Sequence, residues 1–352
     1  MPTDLLSRLG ISVPIIQAPM GGSNATPPSL IAAVSNAGGL GFLGAAYMSP
    51  DQITRECSVI RELTKRPFAI NLFVPVLEEA PRDTSRARAC IATLHDELGL
   101  PAPAEPALPS FTFDQQLDAV LASDAPIFSY TFGMLPGGGA MERLKRRGMF
   151  VIGTATTVDE AIALERAGVD AIAAQGSEAG AHRGSFLRSF ESSMVGTMAL
   201  VPQIVSAVHV PVIAAGGIMD GRGIAAALRL GASAAALGTA FLVTDECGVA
   251  ESYKQAVLSA RDDQTKLTRA FSGRPARGIP NRAMTYIEAA DAVLPYPYQN
   301  SLTRAMRTEA AKQDRAEYLS LWAGQGAKLA RRMPASRLME RLIAELHAAM
   351  AA

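Results

Sequence analysis

Eight short apolar segments, most of them separated by helical stretches, constrain the fold of this 352-residue chain more than any other feature. Their apolar character is continuous rather than alternating, as expected for parallel strands that are covered on both faces. The predicted strands are 15–17, 40–43, 68–73, 127–130, 149–152, 171–175, 212–215 and 234–237, and the predicted helices include 28–36, 50–63, 157–167, 195–208 and 222–230. Thr157 with Glu160 suits a capping box at the start of one helix, and Gly168 suits its end. This alternation predicts an α/β fold, a (β/α)8 TIM barrel, with an open doubly wound sheet as the alternative.

Two regions break the alternation of strands and helices. Residues 76–125 are far longer than a single helix needs, and a long C-terminal stretch follows the last predicted strand. We therefore expect a barrel formed by residues 1–75 and 126–245, and a second, mostly helical lid or substrate domain formed by residues 76–125 and 246–352. Active sites of such barrels lie at the C-terminal ends of the strands, so a lid at that end would exclude water.

Composition excludes several classes of function. Lys and Arg together number 33, as do Asp and Glu, so no global charge favours nucleic acid or an anionic membrane. No apolar run reaches the roughly 18 residues that a membrane helix needs, and residues 1–12 lack the pattern of a signal peptide. Three scattered cysteines fit neither a disulfide framework nor a zinc site, which predicts a reducing, cytoplasmic setting and no metal. We expect a small-molecule substrate and a monomer or homodimer.

Glycines follow the seventh and eighth predicted strands, where barrels of this kind usually bind phosphate. Gly216 and Gly217 end the seventh strand, and Gly238 with Thr239 ends the eighth. Glycine lets backbone N–H groups approach a phosphate closely, and the Thr239 hydroxyl can add a donor. A single glycine pair usually marks only a turn, but two such sites in this order favour a phosphorylated cofactor or substrate.

Amide side chains lie at the ends of two further strands. Asn71 ends the third and Gln175 the sixth, while the first is followed by the glycine-rich turn 17–22. Either amide alone would be explained by capping of a local turn. Two amides that face one barrel mouth are better explained by a heterocycle with mixed donors and acceptors, such as a flavin.

His182 is the candidate catalytic base. It follows the sixth strand, whereas the other three histidines, His95, His209 and His347, lie in the insertion, before the seventh strand and near the C-terminus. Histidine is the usual general base near neutral pH, although a solvated histidine in a polar turn is the simpler interpretation. Glu178, four residues earlier, could form a surface salt bridge with Arg183.

Three further segments of the predicted lid could reach the site. The arginines Arg269, Arg274 and Arg277 are expected to fix the lid to the barrel through carbonyls and carboxylates, with binding of an anionic substrate as the alternative. Tyr296 and Tyr298 lie in a rigid, proline-flanked segment suited to lining a pocket. Residues 322–326 either return the lid to the cofactor or end a helix.

The chain resembles the nitronate monooxygenases, formerly called 2-nitropropane dioxygenases, and within them the first class, which works without reduced nicotinamide. The resemblance extends over nearly the whole length and depends on the segments 17–22, 71–73, 175–184, 214–223, 238–242, 269–281 and 322–326, in that order and spacing. It implies non-covalently bound FMN, with His182 as the base. The residues expected at FMN are Ala18, Met20, Gly21, Asn71, Gln175, Gly180, Gly216, Gly217, Ala236, Leu237, Gly238 and Thr239.

Three positions depart from the family pattern. Thr131 stands where members often have a histidine, Ala236 where glutamine is common, and Ala181 where glycine usually precedes the base. The first bears on the choice of substrate, for which Thr131, Tyr296 and Tyr298 are the candidate contacts.

The resemblance implies FMN-dependent oxidative denitrification of alkyl nitronates, and of nitroalkanes as a further substrate class, with O2 to carbonyl compounds and nitrite. A neutral nitroalkane would first lose its α-proton to His182. Two alternatives stay open at this point. One is an NAD(P)H-dependent flavin reductase on the same fold, acting on an enoyl thioester or a quinone. The other is a flavin or phosphate binder without catalysis.

Overall fold

The computed structural model describes residues 2–22, 24–76 and 79–351. In these ranges eight parallel strands form one sheet: β1 (Ile15–Gln17), β2 (Gly41–Gly44), β3 (Phe68–Phe73), β4 (Ile127–Thr131), β5 (Phe150–Ala155), β6 (Ala171–Gln175), β8 (Val212–Ala215) and β9 (Ala234–Leu237). The strands are ordered β1-β9-β8-β6-β5-β4-β3-β2, and a parallel bridge between Ile16 and Leu40 joins the two ends of the sheet. The sheet therefore closes into the predicted TIM barrel rather than staying open.

Strand residues alternate between the barrel interior and the surrounding helices, although both faces are apolar. On β9, Ala234 and Ala236 belong to the interior cluster, whereas Ala235 and Leu237 belong to the larger outer core. Helix α1 (Pro2–Leu9) contributes Leu5 and Leu9 to the interior cluster, where it closes the barrel at the end opposite the strand C-termini. Burial of both faces explains why these strands are recognisable as continuous apolar runs.

Helices surround the barrel and follow the strands in sequence. They are α2 (Pro28–Asn36), α3 (Pro50–Leu63), α5 (Phe113–Ala122), α6 (Ala140–Arg146), α7 (Val158–Arg166), α8 (Thr197–Ala207), α9 (Gly221–Arg229), the short α10 (Thr239–Leu242) and the C-terminal α15 (Ala335–Ala351). Helix α5 packs against α3, and α15 packs against α9 and α2, so both contribute to the helical layer. The predicted division into barrel and lid domains assigned both helices to the lid, and that division stays a prediction.

The predicted capping box of α7 forms only in part. The Thr157 hydroxyl accepts a hydrogen bond from the Glu160 backbone N–H, and Gly168 ends the helix at φ 89°. The Glu160 carboxylate does not return to the N-cap. It is fully buried and accepts hydrogen bonds from Thr156 N and Phe186 N at 2.7 and 2.6 Å. The carboxylate therefore stabilises the loop that follows His182.

The remaining elements lie in the insertion, in the loop after β6 and in the C-terminal stretch. They are α4 (Ser85–Asp96), α11 (Glu251–Leu258), α12 (Arg282–Ala290), α13 (Tyr298–Leu302), α14 (Arg304–Lys312), three 3-10 turns (Glu191–Ser193, Ala316–Tyr318 and Ala327–Leu329) and an antiparallel sheet of β7 (Ala181–His182), β11 (Ala276–Gly278) and β10 (Lys266–Thr268). Helix α4 packs on α12, where Glu97 accepts hydrogen bonds from Arg282 and Tyr318. In the described ranges, no helix is both long and apolar enough to cross a membrane.

Candidate active site

One cavity at the C-terminal ends of the strands contains nearly all of the residues predicted to contact FMN. His182 and Thr131 also line it. The predicted cofactor residues in its wall are Ala18, Met20, Gly21, Asn71, Gln175, Gly180, Gly216, Gly217, Ala236, Gly238 and Thr239. Leu237 is not in the wall, because it alternates with Ala236 along β9 and its side chain is buried in the outer core.

Glycines shape one end of this cavity through close contacts between backbones. A Cβ atom on Gly180 would lie 2.6 Å from Gly324 N, so only glycine lets these two segments meet. Gly324 N donates to the Thr239 hydroxyl at 2.9 Å. Segment 322–326 therefore returns to the barrel mouth, as one of its two interpretations predicted. A Cβ on Gly238, in contrast, would meet only the Ala18 Cβ at 3.8 Å, which leaves a cradle that an added side chain would fill.

A row of polar side chains forms another wall of the cavity. Asn71 Nδ2 donates to Ser129 Oγ at 2.8 Å, and the hydroxyls of Thr131 and Thr154 lie 3.3 Å apart. These groups come from the neighbouring strands β3, β4 and β5, whose C-terminal ends meet at the barrel mouth. They can present amide and hydroxyl groups to a polar heterocycle or to a substrate.

Gln175 holds the loop that carries His182. Its Nε2 donates to the His182 carbonyl at 3.0 Å, and its Oε1 accepts from Gly184 N at 2.8 Å. Both ends of the amide thus bind the turn that follows β6, as the local-capping interpretation predicted. Gln175 still lines the cavity, but much of its hydrogen-bonding capacity serves the loop.

His182 lies in β7, paired with Ala276 of β11, and its ring is enclosed by aromatic side chains. The ring centres of Phe73, Phe132, Trp322 and Tyr296 lie 5.9, 5.6, 5.8 and 6.2 Å from that of His182. Burial, and then the positive charges of Arg274 and Arg307, lower the pKa of His182 to about 3. The imidazole is therefore neutral at physiological pH.

Ser272 fixes the orientation of the His182 ring. Its Oγ lies 2.9 Å from His182 Nε2 and also donates to the Arg274 carbonyl at 3.1 Å. When the single hydroxyl proton of Ser272 is directed to that carbonyl, Nε2–H must donate to Ser272. Nδ1 is then the basic nitrogen of the ring.

The predicted surface salt bridge between Glu178 and Arg183 does not form. Arg183 is 1% exposed and donates to the carbonyls of Gly176 and Ser193 at 2.7 and 2.9 Å. Burial lowers the pKa of its guanidinium to about 10. Glu178 instead accepts from the backbone N–H of Thr197 at 2.9 Å, which satisfies the first turn of α8.

The arginine segment behaves as its simpler interpretation predicted. Arg274 Nη2 donates to the Ser185 carbonyl at 2.6 Å, and Arg277 Nε to the Ser177 carbonyl at 3.0 Å. The guanidinium of Arg269 lies over the ring of Phe190. Arg274 and Arg277 thus attach the C-terminal stretch to the loop after β6 through backbone carbonyls.

Two tyrosines predicted to contact the substrate lie outside the cavity wall, and an arginine that was not predicted lies in it. Tyr296 contacts the His182 ring, but neither it nor Tyr298, the first residue of α13, is part of the cavity wall. Arg307 is in the wall, together with Asn300, whose Oδ1 accepts from Arg307 Nη2 at 2.9 Å. Burial lowers the pKa of Arg307 to about 10. Nothing in the local sequence marks Arg307, because only the packing of α14 brings it to the barrel mouth.

Comparison with known proteins identifies the family. The sequence profile described as nitronate monooxygenase matches residues 3–345. The chain belongs to the nitronate monooxygenase family. A protein of Staphylococcus saprophyticus named probable nitronate monooxygenase is 42% identical over 354 residues, which cover 99% of each chain.

Solved structures agree with this membership. Nitroalkane oxidase from Streptomyces ansochromogenes superposes with a TM-score of 0.91 at 41% identity, over 98% of this chain and 99% of that chain. FabK from Thermotoga maritima superposes with a TM-score of 0.76 at 29% identity, over 99% of this chain and 97% of that chain. As a nitronate monooxygenase family member, the protein is an oxidoreductase, as the sequence predicted.

Nitronate monooxygenases are flavoenzymes, and the cavity fits such a group. At Gly238 the cavity has room for an added group, and glycine turns of this kind can present backbone N–H groups to a phosphate; the cavity wall also contains Asn71. In the described residues, no cluster of three or more His, Cys, Asp or Glu side chains could hold a metal ion. Of the departures from the family pattern, Ala181 has φ 60°, a conformation that glycine adopts at lower cost.

Proposed function

We propose that the protein uses FMN to oxidise alkyl nitronates with O2, yielding a carbonyl compound and nitrite. The observation that carries this proposal is a single cavity that contains the glycine cradle at Gly238, the cationic Arg307 and the aromatic-enclosed His182. Membership of the nitronate monooxygenase family and the likeness to a nitroalkane oxidase support the reaction class.

FMN would be held at both ends of the cavity. Gly216, Gly217, Gly238 and Thr239 would bind its phosphate through backbone N–H groups and a hydroxyl. Ala18, Met20, Gly21, Gly180, Ala236 and the amides of Asn71 and Gln175 would lie against the ring system. When bound, the flavin supplies an acceptor for electrons from the substrate and a donor of electrons to O2.

The charge of the site favours a substrate that arrives as an anion. Among the described residues, no carboxylate forms an ion pair with Arg307, although this residue lines the cavity. A desolvated cation without an acidic partner attracts anions strongly. A nitronate carries the negative charge that such a site would bind, whereas a neutral nitroalkane does not.

His182 serves a neutral nitroalkane less well than its position alone suggests. A general base works best when its pKa lies near the operating pH, and the pKa of His182 is held at about 3. We therefore expect proton abstraction from a neutral nitroalkane to be slow, and a preformed nitronate, which needs no such step, to be the better substrate. Thr131 and Tyr296 are the proposed substrate-side neighbours, and Tyr298 is proposed only at the periphery.

Identification of the released cofactor and of the products tests the proposal. The supernatant of the heat-treated protein would be examined by mass spectrometry for FMN. Oxygen consumption and nitrite release would then be followed with an alkyl nitronate, and with its neutral nitroalkane at the same concentration. We expect FMN, and nitrite formation that is faster with the nitronate. Bound FMN without nitrite from either substrate would favour the non-catalytic binder.

The alternative is an NAD(P)H-dependent flavin reductase of an enoyl thioester or quinone. The likeness to FabK, at 29% identity, is the observation that supports this alternative. The higher identity and TM-score with the nitroalkane oxidase favour nitronate oxidation. Rapid NADH consumption with a quinone or enoyl thioester, together with no nitrite from nitronates, would replace the proposed function with this one.

A further inference from the structure

Phe132 has an unusual backbone for a bulky residue. It directly follows β4 and has φ 85°, and the next residue, Gly133, has φ 149°. A left-handed conformation is rare for side chains of this size, and it persists only where the surrounding packing imposes it. The ring is buried, with 5% of the residue exposed.

The strained backbone places the Phe132 ring in contact with two groups that affect the chemistry, Arg274 and His182. The Arg274 guanidinium carbon lies 3.9 Å from the ring centre, over one face. The His182 ring meets Phe132 edge to face, with centres 5.6 Å apart and planes at 85°. Phe73, which lines the cavity, packs on Phe132 at 4.2 Å.

The turn 272–274 contacts both the His182 ring and the loop that follows it. Ser272 binds the His182 ring, and Arg274 donates to the carbonyls of Arg183 and Ser185 in the loop that follows His182. Arg274 thus holds the loop while its planar charge lies on the Phe132 ring, an arrangement stabilised by cation–π attraction. The Phe132 ring is thus in contact with both Arg274 and His182.

We infer that Phe132 is a positioning residue for His182: the Phe132 ring keeps the imidazole desolvated and in its orientation, and it supports the Arg274 guanidinium. The inference extends the proposed function and rests on it for the role of His182. Phe132 itself is outside the cavity wall, so it acts through His182 and Arg274 rather than on the substrate.

The inference is tested by making the same substitution, phenylalanine to leucine, at two positions: Phe132, directly after β4, and Phe128, within β4. Phe132→Leu keeps an apolar side chain but removes the aromatic face. Phe128→Leu is the control, because Phe128 is also buried and lies on β4, but its ring stacks on Tyr130 rather than contacting His182. Phe132→Tyr keeps the face and should restore wild-type behaviour.

The main readout is the protonation state of His182 in the holoenzyme, followed by ¹⁵N NMR of the imidazole and assigned by comparison with His182→Asn. The charged or titratable groups that face this ring are Arg274, Arg307 and Tyr296. Loss of the Phe132 ring admits water and frees Arg274, and both effects raise the pKa of His182. We expect the midpoint to rise by about two pKa units in Phe132→Leu, and to stay unchanged in Phe128→Leu and Phe132→Tyr.

Steady-state kinetics with a neutral nitroalkane provide the second readout, because this substrate, unlike a preformed nitronate, must lose its α-proton to His182. Misorientation of His182 should lower kcat of Phe132→Leu about tenfold, whereas Phe128→Leu should lower only the melting temperature. An unchanged midpoint and kcat in Phe132→Leu, with a loss of stability like that of the control, would overturn the inference. If Phe132→Leu does not fold, Phe132→Met gives the same comparison. Failure of the wild type to oxidise nitronates would refute the proposed function instead, while the NMR comparison would still decide the role of Phe132.

Discussion

Replacement of Gly238 by alanine should weaken cofactor binding without changing the stability of the fold. The backbone at Gly238 has φ −103°, which any residue can adopt. An ideal Cβ would meet only the Ala18 Cβ, at 3.8 Å, which is ordinary van der Waals contact. The apoprotein should therefore keep its stability within about 0.5 kcal/mol, as is usual for substitutions that disturb no buried contact.

The added methyl group would occupy the space in which we place the FMN phosphate. Backbone N–H groups bind an oxygen at about 2.9 Å, and a methyl group in the cradle prevents that approach. Loss of one hydrogen bond to a charged group costs about 1.5–3 kcal/mol. The dissociation constant for FMN should therefore rise by about 10- to 150-fold.

The assay is titration of the apoprotein with FMN, followed by quenching of flavin fluorescence, with thermal unfolding of the apoprotein measured in parallel. Gly137→Ala is the matched control, because a Cβ at Gly137 would meet nothing within 4 Å and the residue does not line the cavity. Wild-type FMN affinity in Gly238→Ala would refute the placement of the phosphate. If the free energy of unfolding of the apoprotein falls by as much as the free energy of FMN binding, the methyl group disturbs the fold rather than only the phosphate site.

Three further predictions concern His182, Ala181 and Glu97. His182→Asn should retain FMN and lower turnover of a neutral nitroalkane by about 10²-fold or more; equal activity of mutant and wild type on that substrate would remove the base assignment. Ala181→Gly should stabilise the protein by about 0.5–1 kcal/mol, because Ala181 has φ 60°, and a lower melting temperature would contradict it. Hydrogen bonds from Arg282 and Tyr318 lower the pKa of Glu97 to about 2 from 4.5. The stability that this carboxylate contributes is thus present above pH 4.5 and is lost as the pH falls towards 2, so melting temperatures of wild type and Glu97→Gln should converge in acid. Parallel curves would contradict the pairing.

The barrel could be predicted from sequence because its strands are buried on both faces. Each predicted strand overlaps an observed one, and α2 and α3 have the predicted bounds. Gly216, Gly217 and Gly238 could be assigned to the barrel mouth because each follows a predicted strand. The C-terminal ends of neighbouring parallel strands lie at the same end of a barrel.

The surroundings of His182 could not be predicted in the same way. Strands β7, β10 and β11 have two or three residues each, too few to show any periodicity. Ser272 is 90 residues from His182 in sequence, and Arg307 is farther still, so no local pattern connects them. The amide of Gln175 was expected to face a heterocycle, but the backbone groups of residues 182 and 184 compete for it at close range.

The visible spectrum of the purified protein, recorded without oxygen, tests the central claim most directly. NADH would be added first and an alkyl nitronate second, and the flavin absorption would be followed after each addition. We expect a yellow protein whose absorption is little changed by NADH and changes promptly with the nitronate, because the substrate itself donates the electrons. Rapid bleaching by NADH with no response to the nitronate would refute nitronate oxidation and favour the reductase.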